Sequence, residues 1–184
     1  MIFWSGLCFA KSGLHFIEED LSFSIEDSVF SVRGIYYFSS DRATKHLILY
    51  PFPEDKLMGE PYDIYIKDLD NKHNIPFKMK KDKSGILFEL KCKKTSSIYI
   101  AYKQDLYSDY ARYILLSTYS WHEPLKRVEY KLDIMDDIKI IKFSIEPDDE
   151  LCLDFGRVYF WRRENFLPSC DLIFKYKVKD VNDE

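Results

Sequence analysis

Glycine is scarce, with six in 184 residues. No glycine-rich loop of the kind that cradles phosphates occurs. No apolar run approaches the roughly 20 residues that a membrane-spanning helix needs. An excess of positive charge is also missing. The formal net charge is −4 with the signs interspersed, so the chain carries no electrostatic footprint for nucleic acid. The cysteines Cys8, Cys92, Cys152 and Cys170 include no Cys-x-x-Cys pair, which argues against a cysteine-rich zinc site. His15, His46, His73 and His122 have neither His-Glu-x-x-His nor His-x-His spacing. No Gly-x-Ser-x-Gly elbow and no EF-hand loop is present. The sequence therefore assigns no catalytic residue, no metal and no cofactor.

What is present is apolar and aromatic. Hydrophobic residues make up 46% and aromatics 17%, with 14 Tyr and 14 Phe. That supports a sizeable core and favours strands. Period-two alternation dominates the chain. Leu21, Phe23 and Ile25 alternate with Ser22 and Ser24. Phe30, Val32, Tyr36 and Phe38 share a face with Gly34 between them. The same alternation continues at Tyr62–Ile66, Ile86–Leu90, Ile98–Tyr102, Val128–Ile134, Ile141–Ile145 and Leu172–Val178. Tyr110–Tyr119 is apolar on both faces and reads as a covered central strand, with a short helix as the alternative. Ser39–Arg42, Asp68–Asn71, Asp82–Gly85 and Glu146–Asp149 carry turn residues. The expectation is an all-β antiparallel sandwich, immunoglobulin-like, of about a dozen strands and little helix. One domain over residues 11–184 suits the length, with a seam near 103–109 as the only candidate division.

Residues 1–10 read in two ways. Cys8-Phe-Ala10 before Lys11 has the small-x-small look of a signal-peptidase site, though the basic leader is missing. The same residues could form a first strand. Cys152 and Cys170 sit on neighbouring predicted strands, where either a bridge or two free thiols fit.

Tyr159–Phe174 concentrates polar and aromatic residues between two apolar runs. As a corner of the sandwich, Asn165 and Pro168 shape the turn and Trp161 and Phe166 plug the end. As a ligand site, Trp161 beside Arg162 and Arg163 would stack on a sugar or bind a carboxylate. Trp121 and His122 form a second candidate ligand site. His122 with Glu123 is the seed of a rival reading, a hydrolase whose site is assembled from loop residues. Tyr107, Tyr110, Tyr113, Tyr119 and Trp121 read as core, or as a carbohydrate-binding face if exposed. The acidic pairs Asp136-Asp137 and Asp148-Asp149 read as solvated turns, with weak calcium binding as the alternative, and the basic run Lys78–Lys83 as a solvated loop, with an anion or surface contact as the alternative.

Three segments carry a resemblance. Tyr36-Tyr-Phe-Ser-Ser-Asp-Arg-Ala-Thr-Lys-His-Leu-Ile-Leu-Tyr-Pro-Phe-Pro53 resembles a hairpin of extracytoplasmic β-sandwich proteins. That group includes the N-terminal domain of inter-alpha-trypsin-inhibitor-type proteins and uncharacterised bacterial secreted proteins. Thr118-Tyr-Ser-Trp-His-Glu-Pro-Leu125 is similar to a T-x-x-W-x-x-P-L element of the bacterial group. Trp161-Arg-Arg-Glu-Asn-Phe-Leu-Pro168 resembles its W-x-x-E-N-F-x-P-x-x-D corner. Ser39-Ser40 stands where that hairpin has Asn, and Tyr50 where it has Phe. The resemblance spans about residues 20–178. It implies a secreted or periplasmic β-sandwich, a binding or structural module without catalysis. The expected partners are a protein or carbohydrate ligand, with no nucleic acid and no membrane span.

Overall fold

The computed structural model describes residues 13–179. Fourteen strands run through them: β1 (Leu14–Glu26), β2 (Val29–Ser40), β3 (Thr44–Pro51), β4 (Tyr62–Asp68), β5 (His73–Asn74), β6 (Phe77–Met79), β7 (Gly85–Cys92), β8 (Thr95–Asp105), β9 (Tyr110–Tyr113), β10 (Leu125–Met135), β11 (Ile138–Phe143), β12 (Asp149–Leu153), β13 (Gly156–Phe166) and β14 (Leu172–Val178). A 3-10 turn, Leu116–Trp121, is the one helical element among the described residues. Among these residues no helix is long and apolar enough to cross a membrane.

An eight-stranded sheet has the order β12-β13-β10-β1-β2-β8-β4-β5. Two three-stranded sheets, β11-β14-β9 and β3-β7-β6, complete the fold. The small sheets cover one face of the large one. Phe174 of β14 meets Phe23, Phe30 and Trp161 with centroids 5.6–6.0 Å apart. Tyr50 of β3 meets Tyr36 and Tyr102. The all-β sandwich expectation holds, with one departure from an antiparallel pattern. β1 and β10 are parallel, with Leu21 opposite Tyr130. That pairing joins segments about a hundred residues apart, so no local signal announces it.

Alternation places the core as expected. Leu21, Phe23 and Ile25 are buried on β1, and Leu172, Phe174 and Tyr176 on β14. Ile141 departs from its expected place and is 52% exposed, because the β11–β14 register slips between Ile140 and Lys142.

Tyr110–Tyr119 is not a central strand. Only Tyr110–Tyr113 is strand, at the edge of its sheet, and the 3-10 turn follows. The reason lies 55 residues downstream. The buried Asp171 carboxylate accepts the backbone N–H groups of Leu115 and Leu116 at 3.0 and 2.9 Å. It also accepts Arg112 Nε at 2.9 Å and Arg112 Nη2 at 2.5 Å. Those bonds pull the chain out of the ladder and start the turn. The region near 103–109 is the end of β8 and the connection to β9. Residues 1–10, with the signal-or-strand question and Cys8, lie outside the described residues. Cys92, Cys152 and Cys170 are free thiols, so no bridge joins Cys152 to Cys170.

Candidate functional site

Two polar features stand out, one on each face of the large sheet. The buried one forms where the three sheets meet. Glu19 of β1 is 3% exposed. Tyr113 of β9 donates to its Oε1 and Tyr130 of β10 to its Oε2, both at 2.9 Å. Tyr36 lies 2.9 Å from the Tyr113 hydroxyl and 2.8 Å from the Tyr50 hydroxyl. Each hydroxyl has one proton. Because Tyr113 spends its proton on Glu19, it accepts from Tyr36, and Tyr36 accepts from Tyr50.

Two local devices build this cluster. The β1–β2 register slips between Phe16 and Glu18, leaving Ile17 as the extra residue of a bulge. The bulge changes the parity of β1, so Glu19 joins Leu21 and Phe23 on the covered face. The second device is Gly34. A Cβ there would lie 2.4 Å from the Tyr36 hydroxyl and 2.6 Å from its ring. The ring lies across the glycine to reach its partners, and any side chain at 34 would displace it.

Burial sets the electrostatics. Loss of water pushes the Glu19 carboxyl up to about 7, more than the hydrogen bonds from Tyr130 and Tyr113 hold it down. Burial, with the Glu19 charge next, raises the Tyr113 and Tyr130 hydroxyls well above their ordinary range. A carboxyl shifted this far is a feature of catalytic acids and bases. Here both oxygens are engaged by tyrosines inside the core, so the cluster acts as a structural tie between sheets.

The exposed feature is a trough on the opposite face of the large sheet. It encloses about 470 Å³. On the central strands the outward residues that line it are Asp20 and Ser22 on β1, Arg33 on β2, and Glu129 and Lys131 on β10. Phe160 and Arg162 of β13 form one wall, and Ile35 of β2 with Tyr99 of β8 forms the other. The sheet register runs Arg162, Glu129, Asp20, Ile35, Tyr99 across five strands, with Phe160, Lys131, Ser22, Arg33, Ala101 as the next row.

Most charges in the trough are already matched. Arg127 reaches Glu18 at 3.0 Å, Asp20 at 3.4 Å and Glu129 at 2.7 Å. Tyr37 donates to Asp20 at 2.9 Å, and Lys131 pairs with Asp133 at 3.0 Å. The Arg162 guanidinium lies 5.5 Å from the centre of the Phe160 ring. Arg33 is exposed and has no ion pair or side-chain hydrogen bond among the described residues.

The residues singled out by sequence fall in different places. Trp161 is 1% exposed, packs on Phe143 and Phe174, and donates Nε1–H to the Ile145 carbonyl at 2.9 Å. Its ring belongs to the core and has no free face for a sugar. Arg162 points outward into the trough. Arg163 pairs with Asp148 and donates to the Glu146 carbonyl at 3.3 Å. Trp121 ends the 3-10 turn and packs on Phe16 and Phe38 at 5.8 and 5.7 Å. His122 caps that turn in the left-handed conformation at φ 58°. Glu123 bonds to His15 Nδ1 at 3.0 Å. His15 Nε2 also lies 4.0 Å from Asp41. The five candidates are thus spread over the core, the trough, the rim and a turn. Among the described residues no group of three or more His, Cys, Asp or Glu could hold a metal ion.

No protein-family model matches the chain, and no curated protein matches it either. Solved structures do. A Legionella pneumophila protein described as a "putative nutrient binding protein" aligns over 90% of this chain and 67% of its own, with 12% identity and a TM-score of 0.70. An M1 zinc metallopeptidase from Deinococcus radiodurans aligns over 90% of this chain and 43% of its own, with 8% identity and a TM-score of 0.55. Its E323A mutant bound to a Tyr-Ser-Ala substrate gives 89% and 42%, 8% identity and 0.56. The chain therefore spans less than half of the metallopeptidase. At these identities the likeness is one of fold.

Proposed function

We propose that this chain is a non-catalytic binding module, working outside the cytoplasm, that takes a polar ligand in the outer trough of its eight-stranded sheet. The observation that carries this reading is the trough itself. It is a concave surface with Ser22 and charged side chains on its floor and partly apolar walls, and a concave site with a few fixed polar groups is how small-ligand sites are composed. The fold shared with a protein described as a "putative nutrient binding protein" supports the same reading. What supports the compartment is the signal-like pattern at Cys8–Ala10 together with the resemblance to extracytoplasmic sandwich proteins.

The test is a variant that fills the trough. Ser22 lies on the floor with its side chain outward, so Ser22→Trp occupies the space without entering the core. Binding is measured by calorimetry against a panel of neutral saccharides, acidic saccharides and short peptides. The expected result is a ligand that binds the native protein and not Ser22→Trp, at an unchanged melting temperature. A ligand that binds both proteins equally would contradict the trough as the site.

A further inference from the structure

We infer that the trough selects a saccharide that carries a carboxylate, and that Arg33 is the residue that takes the carboxylate. The inference rests on the reading of the trough as the ligand site. Its basis is the charge pattern. Asp20 and Glu129 are held by Arg127 and Tyr37, and Lys131 by Asp133. Arg162 lies over Phe160. Arg33 alone among the lining cations has neither an ion pair nor a ring contact among the described residues.

Position makes that arginine usable. Its strand neighbours across the sheet are Ser22 on β1 and Ala101 on β8. Neither is long enough to cover a guanidinium, so its planar fork is open to the trough. That fork matches the two oxygens of a carboxylate. A ligand carboxylate there would complete a surface whose other charges already have partners, which gives selectivity for charge as well as affinity.

The remaining lining fits a sugar ring. Tyr99 offers an apolar face on one wall, and such a face suits the C–H face of a pyranose, while the Phe160 ring on the other wall already carries the Arg162 guanidinium. Ser22 donates or accepts, and Glu129 keeps acceptor capacity beyond its bond to Arg127. Hydroxyl groups around the ring edge would find these partners while the carboxylate meets Arg33.

The experiment is calorimetry with trimers of galacturonate, glucuronate and mannuronate. Maltotriose and cellotriose serve as neutral controls, and citrate as a carboxylate without a sugar ring. The expected result is that at least one uronate trimer binds more tightly than every control. Arg33→Ala should then weaken that uronate by about tenfold or more. Its melting temperature should not change, and Arg33→Lys should recover part of the loss. Equal binding of neutral trimers, blocked by Ser22→Trp, would overturn the charge selection and leave the trough as a site. Citrate binding as tightly as the best uronate would overturn the saccharide. Uronate binding that ignores Arg33→Ala would overturn the role of Arg33. No binding by any uronate trimer would overturn the inference, while a peptide blocked by Ser22→Trp would still uphold the trough.

Discussion

Tyr130 donates a hydrogen bond of 2.9 Å to Glu19 across two neighbouring parallel strands, inside the core. The carboxyl it holds is pushed up to about 7 by burial, against an ordinary value of 4.5. Between those two values the folded chain keeps a proton that the unfolded chain has lost. Stability therefore falls as pH rises from about 4.5 to about 7, and then levels off. The size of this contribution is on the order of 3 kcal/mol. Glu19→Gln keeps the shape and removes the titration. Denaturant melts across this range should show the native protein losing stability relative to Glu19→Gln, with the variant the more stable above pH 7. A constant difference between the two at all pH values would contradict the assignment.

Trp161 and Phe155 make opposite forecasts. Trp161 is 1% exposed and Phe155 is 79% exposed. Truncating Trp161 to Ala removes a core side chain and orphans the Ile145 carbonyl, so the loss should be about 3–5 kcal/mol. Phe155→Ala should stay within about 0.5 kcal/mol. Urea melts of the two variants check this. A Trp161→Ala protein as stable as the native one would mean the ring is not a core plug.

Asp171 should be among the costliest polar positions. It is buried and serves Arg112, Leu115 and Leu116 together. Asp171→Ala leaves the Arg112 charge unpaired and two N–H groups unsatisfied, a loss of about 3–5 kcal/mol. Hydrogen exchange should show the Leu115 and Leu116 amides, at the start of the 3-10 turn, losing protection before those of β14. Their protection unchanged in the variant would contradict the role given to this carboxylate.

The sheets were legible in the sequence because alternation is local. Phe23 and Ile25, or Phe174 and Tyr176, reveal their buried face without knowledge of any partner. Glu19 was missed, although a signal existed. Leu14 and Phe16 are out of phase with Leu21 and Phe23, and that slip marks the bulge that turns Glu19 inward. The Tyr110–Tyr119 run misled because its conformation is decided by Asp171, far along the chain. The trough was illegible for a related reason. Ser22, Arg33 and Ala101 are each unremarkable on their own strands, and only the register of β1, β2 and β8 sets them side by side. Trp161 drew attention by composition, yet Arg162, one residue on and on the other face, is the neighbour that reaches the trough.

The trough as the ligand site is tested most directly by amide NMR of the isotope-labelled protein during titration with the uronate trimers. Saturable shifts are expected to centre on Ser22, Arg33, Ile35, Tyr99, Glu129 and Lys131, which share one face of one sheet. Shifts centred instead on Trp121 and His122 at the 3-10 turn, with the trough amides unmoved, would contradict the trough as the site.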